Sequence, residues 1–512
     1  MIGYTLFTPP DFGPRCNEHA WYANPPARKR TVDTLIITMF GIAVSVVVAL
    51  VVTLTLVTVA FTIAHSLAGA QTISTPQSLG SPQIDTAKPE LTGSNAWKVL
   101  ALGTQINVIA QDLRPLHSPY SGVNSLRARG DSKISHAYGA YAGAQAGDRL
   151  EGYLDVEMIR GKGISSVTGL AGPTNGDVLR QGTFDLGNGP YVARAFVRYT
   201  IPMAGGQRDT LSRGEDQMPT IVHKRRVELT AGKLAASDLF DVNRYANSTR
   251  QQFMNWDLFQ NTAWDFAADT RGYTNGVAVA WILPGWSLRI GSFQMPLVAN
   301  GNKFDSDLRR ANGDQVELTV ASPRTGTVIR LLGYLNHARM GNYVEALAIA
   351  RVSGNAPDIA SDGRAGRKKY GFGVNLEQPL ADNGETGAFA RIGWSDGKNE
   401  SFVFTEVDRH VSAGLQLSGA HWYRGNDRFG IAAVQTEIVP AHQQYLNAGG
   451  LGFLLGDGKL DYGPEQLVET YYRAQVGTYF QLSPDIQYVR NPGYNRDRGP
   501  ATVFSLRINF RY

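Results

Sequence analysis

The end of the chain, ATVFSLRINFRY at 501–512, constrains the fold more than any other stretch. Phe504, Leu506, Ile508, Phe510 and Tyr512 share one parity, and Ser505, Arg507, Asn509 and Arg511 the other. Successive side chains of a strand point to opposite faces, so this is a strand with one apolar and one polar face. If its partners repeat the pattern, they pair into one closed sheet whose apolar face meets lipid.

The pattern does repeat. Sixteen such stretches fit between Trp97 and Tyr512, separated by connections that alternate long and short with one exception, the long segment 203–222 where a turn is expected. Long loops at one end and tight turns at the other are the arrangement of a membrane barrel, not of a soluble sandwich. Tyr191, Ala193, Ala195, Val197, Tyr199 and Ile201 oppose Arg194 and Arg198. Ala388, Ala390, Ile392 and Trp394 oppose Arg391. An Arg or Lys facing lipid costs roughly 2–4 kcal/mol at mid-bilayer, so these arginines are expected in the lumen. Tyr199, Trp394, Tyr488 and Tyr512 near strand ends suit an aromatic girdle. Pro484 lacks an amide hydrogen and implies a bulge or a lost ladder bond. The one helical pattern of note is 253–268 (FMNWDLFQNTAWDFAA), inside the longest outer loop, 236–271.

Past residue 70 no apolar run is long enough for a membrane helix, which a barrel does not need. The net charge of +5 is modest for 512 residues, and no basic cluster interleaves with aromatics, so nucleic acid is not an expected partner. Cys16 is the only cysteine, so the barrel region holds no disulfide, cysteine metal site or catalytic thiol. Arg28-Lys29-Arg30, an apolar stretch from Leu35 to Ile63, and Ala68-Gly-Ala70 form a secretory signal pattern. The expected organisation is an N-terminal extension and signal peptide at 1–70, a flexible periplasmic lead-in at 71–96, and the barrel at 97–512. An uncleaved membrane anchor is the alternative for the apolar stretch.

Several fragments, in this order, carry a family resemblance. They are 118–127 (SPYSGVNSLR), 181–194 (QGTFDLGNGPYVAR), 229–233 (LTAGK) with 238–241 (DLFD), and 253–256 (FMNW). Further on come 269–273 (DTRGY), 370–375 (YGFGVN), 449–453 (GGLGF) with 456–458 (GDG), and 491–495 (NPGYN) with 497–500 (DRGP). The chain resembles the carbohydrate-selective porins of Gram-negative bacteria, the OprB type. The resemblance implies an all-β fold, a 16-stranded antiparallel transmembrane β-barrel of the outer membrane that passes sugars. It also implies a C-terminal strand presented to barrel assembly machinery, and either a single barrel or a homo-oligomer.

A porin needs no catalytic group, cofactor or metal. It needs a water-filled path, a narrowing, and groups that exchange a sugar's hydration shell for weak contacts. Alternation puts both signs of charge on the inner wall, which suits a dipolar, hydroxyl-rich solute. The longest outer loop is expected to fold inward. The candidate constriction residues are Arg194, Arg198, Arg226 and Glu228 on the strands leading to it, and Asp238, Asp241, Trp256, Asp265 and Arg271 within it. Tryptophan faces can stack on sugar rings, or else pack the loop onto the barrel rim.

Other signals point elsewhere only weakly. Arg129-Gly-Asp131 and Asn247-Ser-Thr249 match adhesion and glycosylation tripeptides by chance. The Gly-rich 449–458 lacks the strand-to-helix setting of a phosphate cradle. No HExxH or GxSxG occurs. The alternatives are an enzyme or adhesin on the same barrel, or a porin for other small polar solutes.

Overall fold

Period-two alternation resolves into sixteen barrel strands in the computed structural model, which describes residues 97–179, 186–187, 189–214 and 217–512. The signal pattern within 1–70 and the lead-in at 71–96 lie outside the described residues. The first strands are β1 (Trp97–Leu113), β2 (Asp131–Ala146), β3 (Leu150–Gly161) and β4 (Tyr191–Pro202). A small hairpin of β5 (Arg208–Leu211) and β6 (Thr220–His223) follows. Next come β7 (Arg226–Leu234), β8 (Thr274–Leu283), β9 (Trp286–Gln294), β10 (Asn312–Ala321), β11 (Val328–Met340) and β12 (Arg364–Ala381). The last are β13 (Thr386–Ser395), β14 (Arg409–Ser418), β15 (Arg428–Glu437), β16 (Glu465–Val476), β17 (Phe480–Arg490) and β18 (Ala501–Arg511).

All but β5 and β6 join one closed antiparallel sheet in which each strand pairs with its neighbours in sequence, β7 lying beside β4. The ends meet from Gln105↔Arg511 to Leu113↔Val503, so no strand edge is left open. Long connections at 114–130, 162–190, 235–273, 295–311, 341–363, 396–408, 438–464 and 491–500 gather at one end. The other end carries tight turns and the exceptional connection 203–225 with its hairpin.

The two faces separate as the terminal strand requires. Phe504, Leu506 and Ile508 are outward and 42–45% exposed, whereas Ser505, Arg507 and Asn509 are buried inside. Phe480, Leu482 and Ile486 of β17 point out, and Gln481, Ser483, Asp485 and Gln487 point in. Past Pro484 the β16–β17 register continues in phase from Tyr471↔Asp485 to Ala474↔Leu482, so the proline interrupts the ladder without a bulge. Aromatic rings collect at both rims. Tyr479 packs with Phe510 and Tyr512 and Trp281 with Trp286 near the short turns, while Trp394 stacks on Phe372 near the long loops.

Two expectations need correction. Tyr191 and Ala193 do not share the outer face with Val197. The β3–β4 register shifts between Asp155↔Arg194 and Val156↔Val192, and this bulge turns Val192 outward and Tyr191 inward. Second, 253–268 is not a helix. Only Trp256–Phe259 (α1) is helical, because the rest of this segment spends its backbone groups on the barrel wall, as described below. The longer helices lie in other outer loops, α2 (Tyr343–Ser353) and α3 (Pro440–Asn447). Asn342 caps α2 by accepting from the amides of Val344 and Glu345 at 3.1 and 3.2 Å, and Gly354 ends it with φ +72°. Proline at the first position opens α3.

Candidate functional site

The connection 235–273 enters the barrel and crosses it. A chain segment inside a lumen must find partners for its amides and carbonyls. Here the inward side chains of the wall supply them. Glu317 on β10 accepts from the Asp241 amide at 2.7 Å, and Glu377 on β12 from the Arg244 amide at 3.0 Å. Glu469 on β16 accepts from the amides of Met254 and Asn255. Arg507 on β18 donates to the carbonyls of Thr249 and Gln252. Arg391 on β13 is fully buried and donates to the carbonyls of Leu258, Asp241 and Ala246, with the Asp241 carboxylate 3.0 Å from its Nε. Asp265 accepts from the amides of Phe402 and Val403 in the 396–408 loop and faces the Lys369 ammonium at 3.2 Å.

A second loop also turns inward, over 170–179, and lies against the first. The Trp256 amide donates to the Pro173 carbonyl, and the Gly176 amide to the Met254 carbonyl, both at 3.0 Å. Asp177 accepts from Asn107 on β1 at 2.7 Å.

Together the loops leave a cavity of ≈ 310 Å³ against β3 and β4. One bank of it is ionic. Arg194 forks onto Asp238 with two 2.8 Å hydrogen bonds and reaches Asp155 at 3.2 Å. Arg250 bridges Asp177 and Glu157, each at 2.9 Å. Glu157 also accepts from the hydroxyls of Tyr273 at 2.5 Å and Tyr191 at 3.2 Å. Arg271 stands over the Tyr191 ring, 4.4 Å from its centre. Lower down, Arg198 donates to Glu151 at 3.3 Å and to Gln217 at 3.0 Å. Aromatic rings share the lining, those of Trp256, Phe259 and Phe266, and Trp256 stacks on Phe404 with ring centres 4.5 Å apart and planes 15° apart.

Of the nine candidates, Arg194, Arg198, Asp238, Trp256 and Arg271 line this cavity. Asp241 and Asp265 sit behind the loop in the ties just described. Arg226 and Glu228 pair with each other at 2.6 Å on β7, near the short-turn end. The geometry adds Glu157, Asp177, Arg250 and Tyr273. Glu157 was legible as a lumen residue by parity. Asp177 was not, because the Asn-Gly-Asp turn it belongs to reads as an ordinary surface turn. The tryptophans divide between the two roles considered for them, since Trp264 is buried with Phe240 and Phe266 while Trp256 borders the cavity.

Four arginines against three carboxylates line the cavity, so the charge there nearly balances. Ser412, His410 and Thr262 form a hydrogen-bonded chain at 2.8 and 2.7 Å, but it is buried and ends on a hydroxyl rather than a carboxylate. Such a chain lacks the acid that orients a hydrolytic histidine. No cluster that would hold a metal ion occurs among the described residues.

Comparison with known proteins gives the same direction. Pseudomonas putida OprB superposes with a TM-score of 0.60 at 14% identity, covering 82% of this chain and 94% of that one. The anion-selective porin of Comamonas acidovorans gives 0.43 at 9% identity over 81% of this chain and all of its own, 100%. The outer-membrane channel DcaP of Acinetobacter baumannii gives 0.42 at 10% identity, covering 82% and 100%. No curated protein matches the sequence. The family model for the carbohydrate-selective porin, OprB family, matches residues 158–512, the greater part of the chain. The protein belongs to the OprB family of carbohydrate-selective porins, which places it in the bacterial outer membrane as a channel for sugars.

Proposed function

We propose that selective passage through this porin is decided in the cavity between the inward loops and β3–β4. Arg194, Arg198, Asp238, Trp256 and Arg271 act there together with Glu157, Asp177, Arg250 and Tyr273. Asp241 and Asp265 act indirectly, by fixing the loop that forms one bank. The observation that carries this reading is one cavity lined by both aromatic rings and paired charges. A sugar ring has an apolar face that a tryptophan can cover, and hydroxyls around its edge that both accept from guanidinium groups and donate to carboxylates. Because Arg194, Arg198 and Arg250 already have carboxylate partners, a neutral hydroxylated solute exchanges single hydrogen bonds with them without leaving a charge unpaired. An ionic solute has to disrupt a pair, which favours neutral solutes over ions. β18, with its outward aromatic end, is the segment offered to barrel assembly machinery, and truncation at Phe510 tests that through insertion yield.

The test of the site is current block by sugars in planar bilayers. Trp256→Ala removes a ring contact worth about 0.5–1.5 kcal/mol, so the half-saturating sugar concentration rises roughly two- to tenfold. Asp238→Asn weakens block as well. Unchanged block in both variants moves the selective site elsewhere.

A further inference from the structure

The connection 203–225 is the one long segment at the short-turn end, and neither the passage of sugars nor the inward loops account for it. Its base is closed by the Met203 amide donating to the Arg225 carbonyl at 2.9 Å, and β5 pairs with β6 from Arg208↔His223 to Leu211↔Thr220. Beyond them, Gly214 and Gln217 form a bridge.

This hairpin folds back into the mouth of the barrel. Met218 is fully buried, in one cluster with Tyr153 of β3 and Phe196 of β4, both on the inner face. The Met218 amide donates to the Tyr153 hydroxyl at 3.1 Å. On the adjacent strand, Gly143 of β2, paired with Tyr153, makes room for the methionine, since a Cβ there would stand 2.7 Å from its Cγ. Arg213 reaches the Leu102 carbonyl on β1. The Gln217 amide oxygen accepts from Arg198 at 3.0 Å while its nitrogen donates to the Met218 carbonyl at 2.8 Å. Gly214 and Gln217 line the same cavity as Arg194 and Trp256.

We infer that this hairpin is a second selectivity element, the periplasmic floor of the translocation cavity, with Gln217 as its specificity-determining residue. The solute leaving the ionic bank meets the Arg198–Gln217 hydrogen bond, and a hydroxyl-bearing molecule can replace that bond with its own. Gln217 is neutral and both donates and accepts, so it suits a neutral polyol rather than an ion. The inference takes its solute class from the carbohydrate reading. The narrowing itself does not depend on it.

Two variants test it, each measured as single channels with sugar added on one side only. The first replaces 208–222 by a short Gly-Ser turn. The second is Met218→Ser, which removes the buried anchor and keeps the chain length. Two narrowings in series limit current together, so releasing one raises salt conductance roughly twofold. Block events from periplasmic sugar become more frequent in both variants, while those from outer sugar change little. Gln217→Ala changes the periplasmic block rate with a smaller effect on salt conductance. Native conductance and native block rates in both anchor variants, with heat-modifiable gel mobility showing folded barrels, overturn the inference. If the shortened variant does not fold, Met218→Ser decides alone. If the native channel conducts salt but no sugar blocks it, the carbohydrate reading fails while the conductance comparison still decides the role of the hairpin.

Discussion

Arg391 shows how much one parity assignment carries and where it stops. Alternation put it in the lumen, because its neighbours Ala390 and Ile392 had to meet lipid. Nothing in the sequence said that its guanidinium would hold three loop carbonyls and the Asp241 carboxylate. Those partners are more than a hundred residues away, and local pattern has no access to them. The same holds for Asp241 and Asp265, which their place in the longest loop makes constriction candidates and whose carboxylates tie that loop to the wall and to its neighbour. Tyr191 is the converse case, where a single extra residue in a bulge reverses a side chain that parity had sent outward. Truncating one partner of a buried pair costs about 3–5 kcal/mol. Arg391→Leu therefore leaves the barrel closed but undocks the inward loop, with larger and noisier single-channel currents than the native protein. Native-like current traces from the folded variant contradict that role.

At the scale of elements, the strands were legible and the loop interiors were not. A strand's side-chain period is fixed by geometry, so a strand facing lipid on one side and water on the other writes its position directly into the sequence. FMNWDLFQNTAWDFAA carries a helical pattern, yet its amides and carbonyls are claimed by Glu469, Arg391 and Tyr334, and only one turn of helix forms. The helices α2 and α3 were missed inside long outer loops, where burial comes from packing between loops. They meet around His442, which stacks on Tyr343 at 4.2 Å and lies 3.5 Å from Glu406 and 3.7 Å from Asp408. Burial pushes the His442 pKa down, but the two carboxylates outweigh it and hold the pKa above the usual 6.5. Asp408 is also buried, which alone would raise its pKa, but His442 and other partners hold it below 3.8. Glu400 nearby is pushed up to about 7 by burial.

A raised pKa contributes stability that is present below the ordinary value and lost as pH rises through the shifted one. A lowered carboxylate works the other way, its contribution being lost in acid. The outer cap is therefore tightest between pH 3.8 and 4.5, loosens as pH rises towards the Glu400 pKa of about 7, and loosens further as pH rises from 6.5 through the raised pKa of His442. A spin label at Val352, an exposed position on α2, is expected to gain mobility over that rise, and His442→Gln to lose the part above pH 6.5. Mobility that is flat with pH in the native protein contradicts this.

For the whole molecule, closure explains why a modestly hydrophobic chain can live in a bilayer. Sixteen strands satisfy one another's backbone groups and turn their apolar parity outward, and no helix among the described residues is long and apolar enough to cross. What remains inside is polar wall, and a polar wall would leave a wide pore. The inward loops convert it into a confined path lined by paired charges and aromatic rings. That architecture, rather than any single group, is the basis for expecting sugar selectivity from this chain.

The most direct measurement is single-channel current in a planar bilayer while a neutral monosaccharide is titrated in. The account predicts open channels whose salt current falls saturably as sugar occupies the cavity, with little preference between anions and cations. Current that follows only the bulk viscosity of the sugar solution, or a channel that selects strongly for one ionic sign, would contradict it.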